Sequence, residues 1–238
     1  MTTVRIVGRG RAGGSFAAAL RGVGWEVDLL AGGDPEVDHA GTGADLVLLC
    51  VPDSAVVEVA RRVAATDAVV AHVSGALGLD ALEPHRRTGS IHPLVSMPSG
   101  EIGAARLGAH ATFAVAGDPV VRTLAEALGG RVIEVADEDR VAYHAAAVVA
   151  SNHLVGLLGQ VERIAATIGL TLEDYLDLVR GTVDNVARVG VRSALTGPAA
   201  RGDLDTIRRH REVLDPSELA AYDAMSDACR RLARGGNP

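Results

Sequence analysis

Short apolar runs alternate with segments of helical periodicity over the first part of the chain. The runs are four to seven residues long and consist mainly of Val, Leu and Ala, which is typical of buried parallel strands. They lie at residues 4–7, 26–30, 45–51, 68–73, 89–92, 111–116 and 131–135. Helical segments at 15–22 and 55–64 lie between them. This alternation predicts an α/β fold with a doubly wound parallel sheet.

The pattern changes after about residue 136, where helical periodicity continues without further strands. Acidic residues at 137–139 precede a long alanine-rich segment, and acids suit the start of a helix because of the helix dipole. Residues 171–174 resemble a capping box, and residues 215–218 are a helix start signal. The sequence therefore predicts a sheet domain over residues 1–136 and an all-helical domain over residues 137–238.

A glycine-rich loop stands directly between the first predicted strand and the first predicted helix. In this loop Gly8 permits a tight turn, Gly10 lets the backbone approach a pyrophosphate, and Gly13 lets helix and strand pack closely. Arg11 and Ala12 complete the loop at the start of the helix, where backbone N–H groups favour anions. The pattern predicts a Rossmann dinucleotide-binding domain. The alternative is a purely structural turn.

The end of the second predicted strand bears on the choice of nucleotide. Ala31 stands where an NAD-type site keeps a carboxylate for the ribose hydroxyls. Asp28 lies inside the strand and Asp34 lies a few residues late, whereas Arg9 and Arg11 can reach a phosphate from the loop. We therefore expect NADP as the cofactor in preference to NAD.

Composition excludes several classes of function. The formal net charge is −7, and all 23 basic residues are arginine, so the chain has no lysine for a Schiff base. The acidic balance argues against nucleic acid and anionic membranes as partners. Aromatic residues make up 3% of the chain, which argues against stacking platforms for single strands.

Cysteine usage and hydropathy indicate a cytoplasmic protein. Cys50 and Cys229 have no metal-ligand spacing and form no disulfide framework, so we expect no metal site. The segment before the first strand lacks the regions of a signal peptide, so we do not expect secretion. The longest apolar run, 46–51, is far shorter than the ~20 residues that a membrane helix needs.

Several motifs together resemble a known family. They are Gly8 to Gly13, Val51-Pro52-Asp53, His72 to Ala76, His92-Pro93-Leu94, Tyr143 to Ala147, Ala150 to His153 and Leu195 to Asp203. The chain resembles proteins that join a Rossmann-like domain to the domain of unknown function 2520, which are related to F420-dependent NADP oxidoreductases, pyrroline-carboxylate reductases and ketopantoate reductases. The resemblance implies a two-domain reductase that forms a homodimer through its helical domains, with Val51, Pro52 and Ser74 near the cofactor.

Reduction of a carbonyl needs a proton donor, for which related reductases often use a lysine. Histidine is the natural replacement in this chain, because its usual pKa of about 6.5 lets it release a proton near neutrality. We expect His144 to donate or relay the proton and Asn152 to hold the substrate or the nicotinamide amide. On a regular α-helix Ser151 shares a face with His144, whereas His153 points away. The alternative for His144 is a contact between helices.

The remaining candidates are expected to bind the substrate. Ser74 follows the predicted strand 68–73 and His92 closes the predicted strand 89–92, at the edge where parallel sheets bind ligands. The alternative for His92 is a turn histidine that precedes a proline. His72 ranks lower because its side chain is expected inside the sheet. Arg201 is the best carboxylate clamp, and Thr196 and Asp203 flank it. Arg201 and Asp203 can instead pair with one another. The arginines at 208–211 are expected on a solvated helix face.

Taken together, the sequence favours NADPH-dependent reduction of a small 2-oxo acid, with ketopantoate favoured through the resemblance alone. Two enzymatic alternatives are hydride exchange between NADP and a deazaflavin such as F420, and reduction of a cyclic imine. A non-catalytic NADP sensor that dimerises through its helices is the alternative outside enzymology.

Overall fold

A computed structural model describes residues 2–235 of the chain. The chain divides into two compact units, the first extending to Ser151 and the second beginning at Asn152. The first unit therefore takes in the start of the long helix that the sequence analysis assigned to the helical domain. The predicted boundary at residue 136 stays a prediction.

A seven-stranded sheet forms the centre of the first unit. Its strands are β1 (Thr3–Val7), β2 (Glu26–Leu30), β3 (Leu46–Leu49), β4 (Val69–His72), β5 (Thr88–Pro93), β6 (Thr112–Gly117) and β7 (Arg131–Glu134). They lie in the order β2-β1-β3-β4-β5-β6-β7. The seven predicted strands and the α/β class are confirmed.

One pairing departs from the parallel sheet that the sequence predicts. Strand β6 runs antiparallel to β5, with Pro93 opposite Phe113, and β7 is parallel to β6. The segment between β5 and β6 returns to the end of the sheet where β5 finishes, and there the Leu94 N–H donates to the carbonyl of Thr112, the first residue of β6. Because this connection does not cross the sheet, the next strand must run back.

Helices cover both faces of this sheet, and each face has its own apolar core. The helices are α1 (Arg11–Gly22), α2 (Asp53–Arg62), α3 (Gly100–Leu107) and α4 (Val120–Ala127). One core includes Phe16, Leu20 and Phe113 behind α1 and α4, and the other includes Val56 and Leu82 behind α2. Helices α3 and α4 were not predicted from the sequence, because runs of eight residues are too short to give a clear helical period.

The strand order reverses between β1 and β3, since β2 lies on one side of β1 and β3 on the other. In open α/β sheets a ligand crevice forms at such a point, outside the carboxyl ends of the strands. The loops that follow β1, β3, β4 and β5 therefore meet at the ligand-binding edge of this sheet.

A long helical segment follows β7. It consists of α5 (Arg140–Val148), a π-helical segment (Val149–His153) and α6 (Leu154–Ala166). The range Asp137–Ala166 is long and apolar enough, by length and composition alone, to cross a membrane, and helices of soluble proteins meet the same criterion. This range was predicted to be helical but contains no long unbroken apolar run, because His144, Ser151, Asn152 and His153 interrupt it.

Within the second unit the remaining helices are α7 (Glu173–Ala194), α8 (Pro198–Arg201), α9 (Leu204–Val213) and α10 (Pro216–Ala233). The predicted capping near residue 171 is present, since the Thr171 N–H donates to Asp174 at 2.8 Å. Helix α10 begins as predicted, with Asp215 as its N-cap. Helix α7 is kinked at Gly190, where φ is +78°.

Candidate functional site

The glycine loop after β1 has the geometry of a phosphate cradle. A Cβ at Gly8, whose φ is +119°, would lie 2.4 Å from the Cys50 carbonyl oxygen, and a Cβ at Gly13 would lie 1.8 Å from that of Gly8. A Cβ at Gly10 would meet no atom of residues 2–235 within 4 Å. Gly8 and Gly13 are thus required by the protein itself, while the space beside Gly10 is open to a ligand. Gly10 is also the N-cap of α1, so the helix directs its first N–H groups there.

Two neighbouring loops lie beside this cradle. A Cβ at Gly32, just after β2, would lie 3.3 Å from Cγ1 of Val51, just after β3. Pro52 is the N-cap of α2, which begins at Asp53. The Asp53 carboxylate accepts a hydrogen bond from the Ser74 hydroxyl at 2.8 Å. This hydrogen bond joins the loop after β3 to the loop after β4, the two loops that are predicted to contact the cofactor.

The loop after β2 differs from its sequence interpretation. The chain folds back so that the Asp34 carboxylate accepts the Ala31 N–H at 2.8 Å, and Arg9 lies 3.4 Å from the same carboxylate. Asp34 therefore lies at the end of the strand, and the expectation that it comes too late was wrong, because a turn shortens the distance through space. Asp28 on β2 pairs with Arg5, which lies opposite it on β1, at 3.1 Å.

The loop after β4 is held by Ser74. Its hydroxyl oxygen accepts the N–H groups of Ala76 and Leu77 at 3.1 Å each. His72, fully buried at the end of the strand, lies with Nε2 3.1 Å from the Gly78 carbonyl, while its Nδ1 has no hydrogen-bond partner among the described residues. Burial lowers the pKa of His72. This confirms that the side chain of His72 lies inside the sheet.

Two histidines and a tyrosine meet above Gly75. Nδ1 of His92 lies 2.6 Å from the Tyr143 hydroxyl, and the rings of His92 and His144 pack edge to face with centroids 5.8 Å apart. A Cβ at Gly75 would lie 2.7 Å from Cδ2 of His144 and 3.0 Å from Nε2 of His92. Only a glycine leaves room for both rings.

Protonation states in this cluster follow from burial and charge. Burial, the neighbouring His144 and the Arg140 charge lower the pKa of His92 to about 4. Burial raises the pKa of Tyr143 to about 12. At neutral pH His92 is therefore uncharged and Tyr143 is protonated. With both groups in these states, the tyrosine hydroxyl can donate to Nδ1 of the imidazole tautomer that carries its hydrogen on Nε2.

A buried arginine connects the start of α5 to the sheet. Arg140 is fully buried; it pairs with Asp137 at 3.1 Å and donates to the Ser74 carbonyl at 3.5 Å and to the Ser90 hydroxyl. Asp137 also accepts the Leu79 N–H at 2.9 Å. Because Tyr143 and His144 follow one turn later on α5, this contact fixes them above the loop after β4.

Comparison with known proteins identifies the family. A model of a domain of unknown function, DUF2520, matches residues 111–229, and a model of a Rossmann-like domain matches residues 34–98. The chain belongs to the DUF2520 family. A search of curated protein sequences found no match to this DUF2520 protein.

Solved structures share the fold of this DUF2520 protein. A proposed NADP oxidoreductase from Bacteroides fragilis has a TM-score of 0.83 at 20% identity, covering 97% of this chain and 98% of that one. A protein from Thermotoga maritima has a TM-score of 0.73 at 26% identity, covering 97% and 98%. Pyrroline carboxylate reductase from Plasmodium falciparum, with NADP bound, has a TM-score of 0.64 at 12% identity, covering 98% of each chain.

The π-helical segment changes which side chains share a face with His144. Ser151, Asn152 and His153 all lie within it. Hydrogen bonds from i to i+5 widen a π-turn, so the spacing that places Ser151 on the face of His144 in a regular α-helix does not hold in this segment. Such turns are frequent at functional sites. The roles of Ser151 and Asn152 remain predictions.

Candidates from the second unit make mainly local contacts. Asp203 is the N-cap of α9; the amide and hydroxyl of Thr206 donate to its carboxylate at 3.0 and 2.8 Å and lower its pKa. This gives Asp203 a structural role, and among the described residues no ion pair joins it to Arg201. The roles of Arg201 and Thr196 remain predictions. Arg208 and Arg211 pair with acids on α9 and α10, consistent with the expected solvated face.

Four residues of this site were given no role from the sequence, one of which, Asp34, was considered and judged to lie too late. They are Asp34, Asp53, Arg140 and Tyr143. Asp53 and Tyr143 belong to the motifs that carry the family resemblance. Nothing in the sequence placed Tyr143 beside His92, 51 positions away. Arg140 gave a weak signal, as an arginine directly after three acids in an apolar segment.

Proposed function

We propose that this protein is an NADPH-dependent reductase of a small substrate with a C=O or C=N bond. One observation carries the proposal. The open phosphate cradle at Gly10 lies on the loop after β1, and the His92–Tyr143–His144 cluster lies on the end of β5 and on α5, at the same edge of the sheet where α/β folds bind ligands.

The residues present fit a dinucleotide. Backbone groups of the loop would hold the pyrophosphate, the turn after β2 would receive the adenosine ribose, and the loops after β3 and β4 would border the nicotinamide. In that order these residues are Gly8, Gly10, Arg11, Ala12 and Gly13, then Ala31, then Val51, Pro52 and Ser74. When bound, the cofactor supplies the hydride.

The protein's own residues supply the proton and polarise the substrate. His92, uncharged at neutral pH and oriented by Tyr143, presents its Nε2–H as a hydrogen-bond donor to the substrate heteroatom. His144, beside it, donates the proton to that atom. Asn152 holds the substrate or the nicotinamide amide, a role that its position in a π-helical segment supports.

The favoured substrate class is a 2-oxo acid, and the family resemblance makes ketopantoate the first compound to test. Arg201, with Thr196, is the proposed clamp for the substrate carboxylate, because a guanidinium binds a carboxylate through two hydrogen bonds. Imine reduction is a second candidate. The structural similarity to a pyrroline carboxylate reductase favours it.

Assembly and location complete the proposal. We propose a cytoplasmic homodimer formed through the helices of the second unit. No residue of the 22-residue helix α7 is buried, although Leu178, Val183, Val186 and Val189 are exposed apolar side chains on it. The two cysteines are free, as a reducing compartment requires.

The test combines nucleotide binding with turnover. Purified protein is titrated with NADPH, and NADPH oxidation is followed with ketopantoate, a panel of 2-oxo acids and cyclic imines. We expect turnover of one class, with a loss of about 100-fold in kcat for His144→Ala, the typical contribution of a general acid.

Matched variants connect the result to the site. Gly10→Ala adds a methyl group where the protein leaves open space, so it is expected to fold normally and lose NADPH affinity. His153→Ala changes an exposed histidine on the same helix and is expected to leave kcat unchanged. NADPH binding without turnover would favour the F420-linked or sensor alternatives, and absence of binding would refute the proposal.

A further inference from the structure

The turn after β2 holds an acidic residue in a fixed position. The Asp34 N–H donates to the Ala31 carbonyl at 3.0 Å, and the Asp34 carboxylate accepts the Ala31 N–H at 2.8 Å. Arg62 braces the turn from α2, donating to the carbonyls of Gly32 at 2.7 Å and Asp34 at 2.9 Å. The carboxylate is therefore held at the end of the strand by the backbone.

Arg9 meets this carboxylate from the glycine loop. Its Nη2 lies 3.4 Å from Oδ2 of Asp34, and its Nε donates to the Leu29 carbonyl at 3.4 Å. The Arg9 side chain is 60% exposed and that of Asp34 is 34% exposed, so both are open to a ligand. The Arg9 guanidinium and the Ala31 N–H thus both bind the Asp34 carboxylate, an anion of the protein itself.

The two types of dinucleotide make opposite demands at this position. A carboxylate at the end of the second strand accepts the ribose 2′-hydroxyl of NAD, whereas an arginine nearby accommodates the 2′-phosphate of NADP. In this protein both groups are present and each engages the other. A phosphate that approached Arg9 would also meet the negative charge of Asp34.

We propose that the Arg9–Asp34 pair sets the nucleotide selectivity of this protein, with Asp34 acting as an internal competitor of the 2′-phosphate. To bind NADPH, Arg9 and the Ala31 N–H must exchange the carboxylate for the phosphate. With NADH, Asp34 keeps its place and accepts the ribose hydroxyl. The inference rests on the proposed function, because it requires a dinucleotide in the cradle.

The experiment measures dissociation constants by direct titration, without substrate. NADPH and NADH are each titrated into the wild type, Asp34→Asn, Arg9→Gln and Glu36→Gln. Asp34→Asn keeps an oxygen for the Ala31 N–H but removes the charge. Glu36→Gln removes one charge from an exposed residue in the next turn and serves as the control.

We expect Asp34→Asn to shift the ratio of the two constants about tenfold toward NADPH, the scale of one charge-assisted hydrogen bond. Arg9→Gln should shift the ratio toward NADH, and Glu36→Gln should leave it unchanged. Thermal unfolding of each variant checks that the fold is retained.

The two proposals can fail separately. If the wild type binds a dinucleotide but Asp34→Asn leaves the ratio unchanged or moves it toward NADH, the selectivity role is overturned and the proposed function stands. If the wild type binds neither nucleotide, the proposed function fails and this inference falls with it.

Discussion

His92 is the residue at this site whose protonation the fold opposes most clearly. Its pKa is lowered to about 4, against about 6.5 in an unfolded chain. Between these values the unfolded state binds more protons than the folded state, so the free energy of unfolding rises with pH. The stability contributed by His92 is therefore present above about pH 6.5 and is lost as the pH falls toward 4.

The prediction is that His92→Gln reduces this pH dependence. From pH 7 to pH 4.5 the wild type should lose about 2–3 kcal/mol more of its free energy of unfolding than the variant, measured by urea titration. The remaining slope includes His72, whose pKa is also lowered. His153→Gln, at an exposed position, should follow the wild type. Equal slopes for His92→Gln and the wild type would mean that folding does not lower the pKa of His92.

Single residues could be predicted from the sequence where their role is local. The three glycines of the loop follow from their spacing alone, since each role depends on the adjacent strand and helix. Asp34 and Tyr143 could not be predicted, because their contacts depend on how a turn closes and on which strand a distant helix packs against.

Helix α5 is positioned by an ion pair that differs from others of the same spacing. Asp137 and Arg140 are three residues apart, as are Asp177 and Arg180 on α7. Arg140 is fully buried, whereas Arg180 and Asp177 are 66% and 96% exposed. Removing the partner of a buried charge is costly, while an exposed pair contributes little.

The prediction compares two identical substitutions. Asp137→Asn should lower the free energy of unfolding by about 2–3 kcal/mol, and Asp177→Asn should change it by less than about 0.5 kcal/mol. Urea unfolding at pH 7 measures both. A similar small effect of the two substitutions would mean that Arg140 does not depend on Asp137.

At the level of elements, the strands were easier to predict than the helices. The central strands β3 and β4 are fully buried, and full burial requires a run of apolar residues that is visible in the sequence. The reversed strand β6 could not be predicted, because a parallel and an antiparallel neighbour can have the same run of apolar residues. The π-helical segment has no sequence signature at all.

Across the whole molecule, the proposed homodimer depends on α7. Leu176, Val179, Val183 and Val186 follow one another at spacings of three and four, which is the pattern of a helix that packs along an apolar seam. Val183 is 54% exposed in the single chain. A seam of this kind is stable in water only when another surface covers it.

The prediction is that Val183→Asp separates the dimer. Light scattering should give twice the chain mass of 24.5 kDa for the wild type and one chain mass for the variant. Arg188→Asp, on the opposite face of α7, is the control and should remain dimeric. A wild type that is monomeric at micromolar concentration would refute the proposed assembly.

Gly75 bears on how such a protein could acquire new substrates. Two imidazoles occupy the place of its missing side chain, so any larger residue must separate them. One codon therefore controls the width between the two histidines without altering either of them. A laboratory evolution experiment that varied only this position would sample different separations of the two rings while both histidines stayed in the sequence.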